Sequence, residues 1–173
     1  MSTTLTSFNL TLKAIGSYKQ TGVHLNETKN GLSKTLDDSL ADGTAIDQAQ
    51  KYVAYEYSLS AGASVVFDLA GTSLSSGAVA LVDPVTGANQ NYTKVKTFIF
   101  HNQSVVVGEI LTLAVAVGDS WKAWAEPIGP NGIMVRHEPS AAGMAVTAGT
   151  ADLLKVTNAG AAANTFDLIF VGI

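Results

Sequence analysis

Three histidines, His24, His101 and His137, are the side chains of this 173-residue chain best suited to moving a proton near neutral pH. Their spacing offers no compact metal motif: no two stand as His-x-His, and none belongs to a His-Glu-x-x-His run. A lone histidine near a strand end commonly caps it or faces water. That is the reading for His101 and for His137, which stands between Arg136 and Glu138. Four acids, Asp37, Asp38, Asp42 and Asp47, gather in one polar stretch. "LDDSLADGTAID" is rich in oxygen donors, but it lacks the spaced acids before the glycine and the closing Glu of a calcium loop. These residues read as solvated loop acids. A hydrolytic pair drawn from Asp68, Glu109, Glu126 and Glu138 would need two carboxyls facing each other across roughly 5–10 Å, and no spacing establishes that. No nucleophile elbow, phosphate-binding glycine loop or dinucleotide fingerprint occurs. No serine or threonine has a spaced His and Asp that would make a triad compelling. With no cysteine, thiolate metal ligands, thiol nucleophiles and disulfides are excluded. The expectation is a protein that is not an enzyme and that holds neither cofactor nor metal.

Aromatic side chains are the remaining candidates. Trp121 and Trp124 fall three apart in "GDSWKAWAEP", which in a strand places them on opposite faces. An exposed Trp, with Tyr52, Tyr55 or Tyr57, could stack on a sugar ring or anchor a subunit interface. The same five rings equally suit a core or a sheet face.

Residues of these kinds have to be positioned by strands. Alternation with period two runs along the chain. "FNLTLKAI" sets Phe8, Leu10 and Leu12 against Asn9, Thr11 and Lys13, and "KYVAYEYSL" sets Val53, Tyr55, Tyr57 and Leu59 against Tyr52, Ala54, Glu56 and Ser58. "ASVVFDLAG", "TKVKTFIFHN", "GIMVRHE", "GMAVTAG", "ADLLKVTN" and "NTFDLIFVG" continue the pattern, and "EILTLAVAVG" reads as a central strand. Turn signals separate them: "SAG", "SSG", "DPVTG" with Pro84 and Gly87, the Gly129–Gly132 stretch, "PSAAG" and "NAGAAAN". Short strands with turns every eight to twelve residues predict an all-β, antiparallel β-sandwich or barrel, in one domain over 1–173. The closing stretch reads as the last hairpin of that sandwich. Residues 18–50 lack strong strand periodicity and read as a polar arm or long loop with a short hairpin; Leu32, Leu36 and Leu40 also permit a helical turn or two.

Composition narrows the partners. Hydrophobic residues make up 47% and charged residues 14%, against about a quarter charged in average soluble domains. Such a surface either hides against neighbours or belongs to a weakly charged monomer. The net charge is −4, the lysines are scattered and Arg136 is the one arginine, so nucleic acid is not an expected partner. No window approaches the ~18 apolar residues of a membrane span. The first residues lack a charged start followed by an apolar run and cleavage site, so no secretion leader is expected.

Over roughly residues 40–173 the order of motifs resembles small structural proteins encoded among the virion genes of tailed bacteriophages and prophages. The resemblance is carried by "FDLAGTSLSSGAVALVDPVTGANQNYTKVKTFIFHNQS" and by "GPNGIMVRHEPSAAGMAVTAGTADLLKVTNAGAAANTFDLIFVGI", with Asn131 and Gly132 in the turn. It implies a β-sandwich of jelly-roll type located in the virion, made in the host bacterial cytoplasm. The implied role is a capsid decoration (cement) protein or another head-associated protein. Its partners would be the major capsid protein or other virion proteins, and a homo-oligomer, with a trimer as first guess. The alternative is a receptor- or carbohydrate-binding module of a tail or fibre, with Trp121, Trp124 and the tyrosines as its platform.

Overall fold

The computed structural model describes residues 7–21, 27–71, 77–83, 86–114, 116, 120–122 and 124–173, and of 12–21 and 27–37 the backbone alone. Along these residues run β1 (Ser7–Thr21), β2 (Glu27–Asp42), β3 (Gln48–Ala49), β4 (Lys51–Leu59), β5 (Ser64–Asp68), β6 (Val79–Ala80) and β7 (Lys94–Asn102). They are followed by β8 (Leu111–Ala114), β9 (Glu126–Ile128), β10 (Ile133–His137), β11 (Met144–Ala145), β12 (Leu153–Asn158) and β13 (Asn164–Gly172). Among the described residues there is no helix long and apolar enough to cross a membrane.

The body is an antiparallel β-sandwich. One sheet has the order β10-β7-β13-β4, with β11 also on β7, and the other the order β6-β5-β12-β8-β9. Alternation explains why these segments are strands. In β4 and β13, Val53, Leu59, Phe166, Leu168 and Phe170 are buried, with Tyr55 and Tyr57 half-buried on the same face, while Ala54, Glu56 and Ser58 are exposed. Phe98 and Phe100 do the same in β7. The opposite sheet answers with Val65, Phe67, Leu111, Leu113, Leu154 and Val156. Phe166 joins the two layers: it stacks on Phe100 at 5.1 Å and stands edge-on to Phe67 at 6.3 Å. Each such ring contributes roughly 1.5–3 kcal/mol by burial alone.

Eight strands pair in nested fashion. β4 pairs with β13, β5 with β12, β7 with β10 and β8 with β9, all antiparallel. The ladders β13–β7 and β12–β8 then close each sheet. The last two strands therefore do not form a hairpin, as alternation alone led one to expect: β12 and β13 belong to different sheets. Asn158 holds the corner between them. Its Nδ2 donates to the carbonyls of Leu59 (3.0 Å), Ser60 (3.1 Å) and Ala162 (2.8 Å), so the β4–β5 and β12–β13 corners stack.

Residues 18–50 also depart from expectation. They contain all of β2, which pairs with β1 over fifteen positions, from Ser7↔Ala41 to Thr21↔Glu27. The arm is a long hairpin rather than a loop, and neither a helical turn nor a short hairpin occurs at Leu32, Leu36 and Leu40. A spacing of four is a multiple of the strand period as well as near one helical turn, so those leucines could not discriminate. A straight ladder of this length spans roughly 48 Å. Among the described residues β1 pairs only with β2, and β2 otherwise pairs only with β3, at Ala41↔Gln48 and Asp42↔Ala49.

Candidate functional site

The outward face of the β10-β7-β13-β4 sheet carries the site. Register aligns Glu56, Asp167, His101 and Ile133 in one row across four strands. The next row holds Ala54, Ile169, Ile99 and Val135. Between them lies an open groove of about 400 Å³ lined by Ala54, Glu56, Ile99, His101, Ile133 and Asp167, among others. Its floor is aliphatic and one wall is polar.

The polar wall is a connected chain. Gln103 Nε2 donates to Glu56 Oε2 (3.1 Å) and to Asp167 Oδ1 (2.7 Å). His101 Nδ1 meets Asp167 Oδ2 at 3.0 Å, and its Nε2 meets Asn131 Oδ1 at 3.3 Å. The carboxylate oxygen at Nδ1 and the amide oxygen at Nε2 stabilise the protonated ring relative to the neutral one. The Asp167 hydrogen bond, chiefly, holds the His101 pKa above its ordinary value; Asn131 adds to it, and partial burial opposes it. Asn131 is placed by a turn. Gly132 N–H closes on Gly129 O at 3.0 Å, Pro130 takes the second position and Asn131 the third, at φ +55°, the pattern of a type II turn.

Two residues after His101 the chain enters the β7–β8 loop, which presents three consecutive valines to solvent. Val105 is 83% exposed, Val106 58% and Val107 95%. The loop is tightly bonded beneath them. Asn102, fully buried, accepts the Ser104 N–H (3.0 Å) and donates to Glu109 O (3.0 Å) and Ile128 O (2.9 Å). Ser104 Oγ accepts the Val106 N–H at 3.1 Å, and Ser104 O accepts the Asn131 N–H at 2.7 Å.

A second polar group roots the hairpin. His137 Nε2 donates to Asp38 Oδ2 at 2.7 Å, and its Nδ1 lies 2.8 Å from Thr97 Oγ1. The His137 bond, then the Ser39 N–H, keeps the Asp38 carboxyl below its usual range. Leu40, Ala49 and Val171 form a small core there with Phe8 and Tyr52 packed on it. Lys96 is fully buried and its Nζ donates to the carbonyls of Ala45, Pro139 and Ser140. Desolvation, mainly, lowers its pKa.

The five aromatic candidates are distributed otherwise than a platform requires. Trp121 is buried at 3% exposure, and Trp124 is half-buried. They do not take opposite faces: both lie on Phe98, at 5.8 and 5.2 Å, and 5.3 Å from each other. The reason is that neither lies in a strand, so period-two geometry does not apply to them. Tyr55 and Tyr57 pack half-buried against the main core, and Tyr52 against the hairpin root, 6.2 Å from Phe8. Of the acids considered for hydrolysis, Asp68 accepts the N–H groups of Ala70 (2.9 Å) and Gly71 (2.8 Å), and Glu109 those of Ala161 and Ala162 (both 3.2 Å). Glu126 and Glu138 are exposed. Among the described residues no three His, Asp or Glu side chains converge as a metal site would need. Pro84 and His24 lie outside the described residues.

Periodicity identified the strands that carry Glu56, His101 and Asp167, but not their meeting, since sequence separations of 45 and 66 residues leave no local trace. The valine tip did leave one: "SVVVG" is an apolar run bounded by turn residues, a pattern that also describes a short strand. Comparison with protein-family models, with curated proteins and with solved structures finds no match.

Proposed function

We propose that this protein is a virion structural component of a tailed bacteriophage, a capsid decoration or other head-associated protein that stabilises the particle through subunit contacts. The observation that carries the reading is the nested pairing of eight strands, first with last through fourth with fifth. We take that order as a jelly roll, an architecture used by viral capsid and lectin domains; this step is fold-level analogy. It agrees with the resemblance of residues 40–173 and with a polar chemistry that holds loops and the hairpin in place. Asp38, Asp68, Lys96, Glu109 and Asn158 each bind backbone or a neighbouring element. The reading assigns the chain no catalysis, no cofactor, and capsid or other virion proteins, including its own copies, as partners.

The test is mass spectrometry and negative-stain imaging of purified particles made with and without the gene. The expected result is the chain in many copies per particle, and lower particle stability in its absence. A particle that lacks the protein would sink the proposal. The alternative, a tail or fibre module that binds receptor glycans, draws on the outer-face groove and its polar wall rather than on the tryptophans. Glycan-array binding lost on Gln103→Ala, with the fold retained, would favour it.

A further inference from the structure

We propose that the buried ammonium of Lys96 is a clasp: it fastens the base of the β1–β2 hairpin to the β10–β11 loop, and the two open together as one unit while the sandwich stays folded.

The clasp is made of backbone carbonyls gathered on one charge. Lys96 Nζ donates to Ala45 O (3.4 Å) in the turn that leaves β2, and to Pro139 O (3.3 Å) and Ser140 O in the β10–β11 loop. An ammonium has three N–H donors and no acceptor, so the three carbonyls use all of them. Lys94 Nζ takes the next carbonyl of the same loop, Ala141 O, at 3.1 Å. A backbone bond runs beside Lys96: the Asp47 N–H donates to Pro139 O at 2.9 Å. Turn and loop are therefore joined twice, once through a charge. Among the described residues the hairpin enters no ladder beyond its base, where β2 meets β3, so the arm follows the base.

Two observations make this seat poised rather than inert. Lys96 is fully buried, yet among the described residues no carboxylate pairs with it. A buried charge held by neutral dipoles alone keeps much of its desolvation cost. Burial, chiefly, lowers the Lys96 pKa; Lys94 on the same strand adds to that, and Asp47 in the turn opposes it. β10 and the residue after it bring His137, engaged with Asp38, and Glu138, whose N–H donates to Lys96 O at 2.7 Å; β3 and β11 bring no charge. The turn is also strained. Asp47 stands at φ +54° and Gly43 at φ +138°, and a residue with a side chain keeps a left-handed backbone only where its surroundings enforce it. Asp47 is enforced by two bonds of 2.9 Å, its N–H to Pro139 O and its carbonyl from the Ala41 N–H. The first of these crosses the clasp. Returning the ammonium to water and relaxing the turn are thus one event.

The experiment reads hydrogen exchange at named amides of the full-length chain near neutral pH. Ala41, Gly43 and Asp47 report the base, Glu138 and Gly143 the loop, and Leu168 and Phe170 the sandwich. Lys96→Met keeps the length of the side chain and removes its donors. Base and loop should then exchange several-fold faster, by the same factor, with the sandwich amides unchanged. A change in only one of the two segments overturns the inference, and so does no change. An equal change in β13 overturns it as well, because Lys96 would then be a packing residue of the whole fold. Gly43→Val tests the coupling from the other side, with Lys96 intact. A side chain at φ +138° is strained, and its Cβ would press on Gln48 Oε1, so the turn should open. Glu138 and Gly143 should exchange faster, and the Lys96 midpoint, followed by NMR at an isotope-labelled Cε, should rise toward the ordinary 10.5 as the ammonium regains water. A loop and a Lys96 midpoint that stay at their wild-type values in Gly43→Val overturn the clasp.

Discussion

At the scale of single residues the outer-face histidine has a defined electrostatic signature. His101 donates toward carboxylate on one side and amide oxygen on the other, and the folded state raises its pKa above the ordinary 6.5. A raised folded pKa means the protonated pair stabilises fully below about pH 6.5, and the contribution is lost as pH rises through the folded value. An NMR titration should give a midpoint for His101 above 6.5, and Asp167→Asn should bring it down. An unchanged midpoint in that variant would show that Asp167 is not the cause. Asn164 makes the opposite case. It is buried at the start of β13, and neither amide atom has a partner among the described residues. A buried unpaired polar group costs about 1–3 kcal/mol. Asn164→Leu should therefore raise the melting temperature by a few degrees, at roughly 2–4 °C per kcal/mol for a chain of this size. A fall would mean the amide has a function the fold alone does not reveal. Neither feature is legible in the sequence: Asn164 reads as a turn residue in "NAGAAAN", and His101 shows no sign of Asp167.

Among the elements, the β1–β2 hairpin depends on its root. Leu40, Ala49 and Val171 bury it, and the His137–Asp38 bond ties it to the edge strand β10. Removing most of the Leu40 side chain should release it: Leu40→Ala costs about 2–5 kcal/mol where a buried leucine is lost. Hydrogen exchange confined to residues 7–42 would record that, and exchange spread evenly over the sandwich would refute a local root. Acid should act at the same place. Because His137 lowers the Asp38 pKa below 3.8, its contribution is present above that value and fades as pH falls through the folded one. Exchange in β1 and β2 should rise there first, and Asp38→Asn should abolish the pH dependence. The polarity of residues 18–50 was plain in the sequence. Its strand character was not, because hairpin pairing satisfies backbone groups whatever the side chains are.

For the molecule as a whole, the strand that closes the fold is also the last in the chain. β13 lies between β4 and β7, and Phe166 on it touches aromatic rings of both sheets. Phe166→Ala should cost about 3–5 kcal/mol, read as a loss of global stability in urea; a change within the error of the melt would mean the two layers do not depend on this ring. Alternation in "KYVAYEYSL" and "NTFDLIFVG" determined that these are half-buried strands, and the turn residues of "GPNG" determined where the chain reverses and so where Asn131 stands. These features follow from contacts within a few residues, which sequence records directly. Only the tertiary structure decided that β13 pairs with β4 and not with β12, that Trp121 and Trp124 share Phe98, and that Glu56, Gln103 and Asp167 meet beside His101. Such choices compare packing among segments about 20 to 120 residues apart, and strands with the same period-two pattern are interchangeable until a common core selects among them.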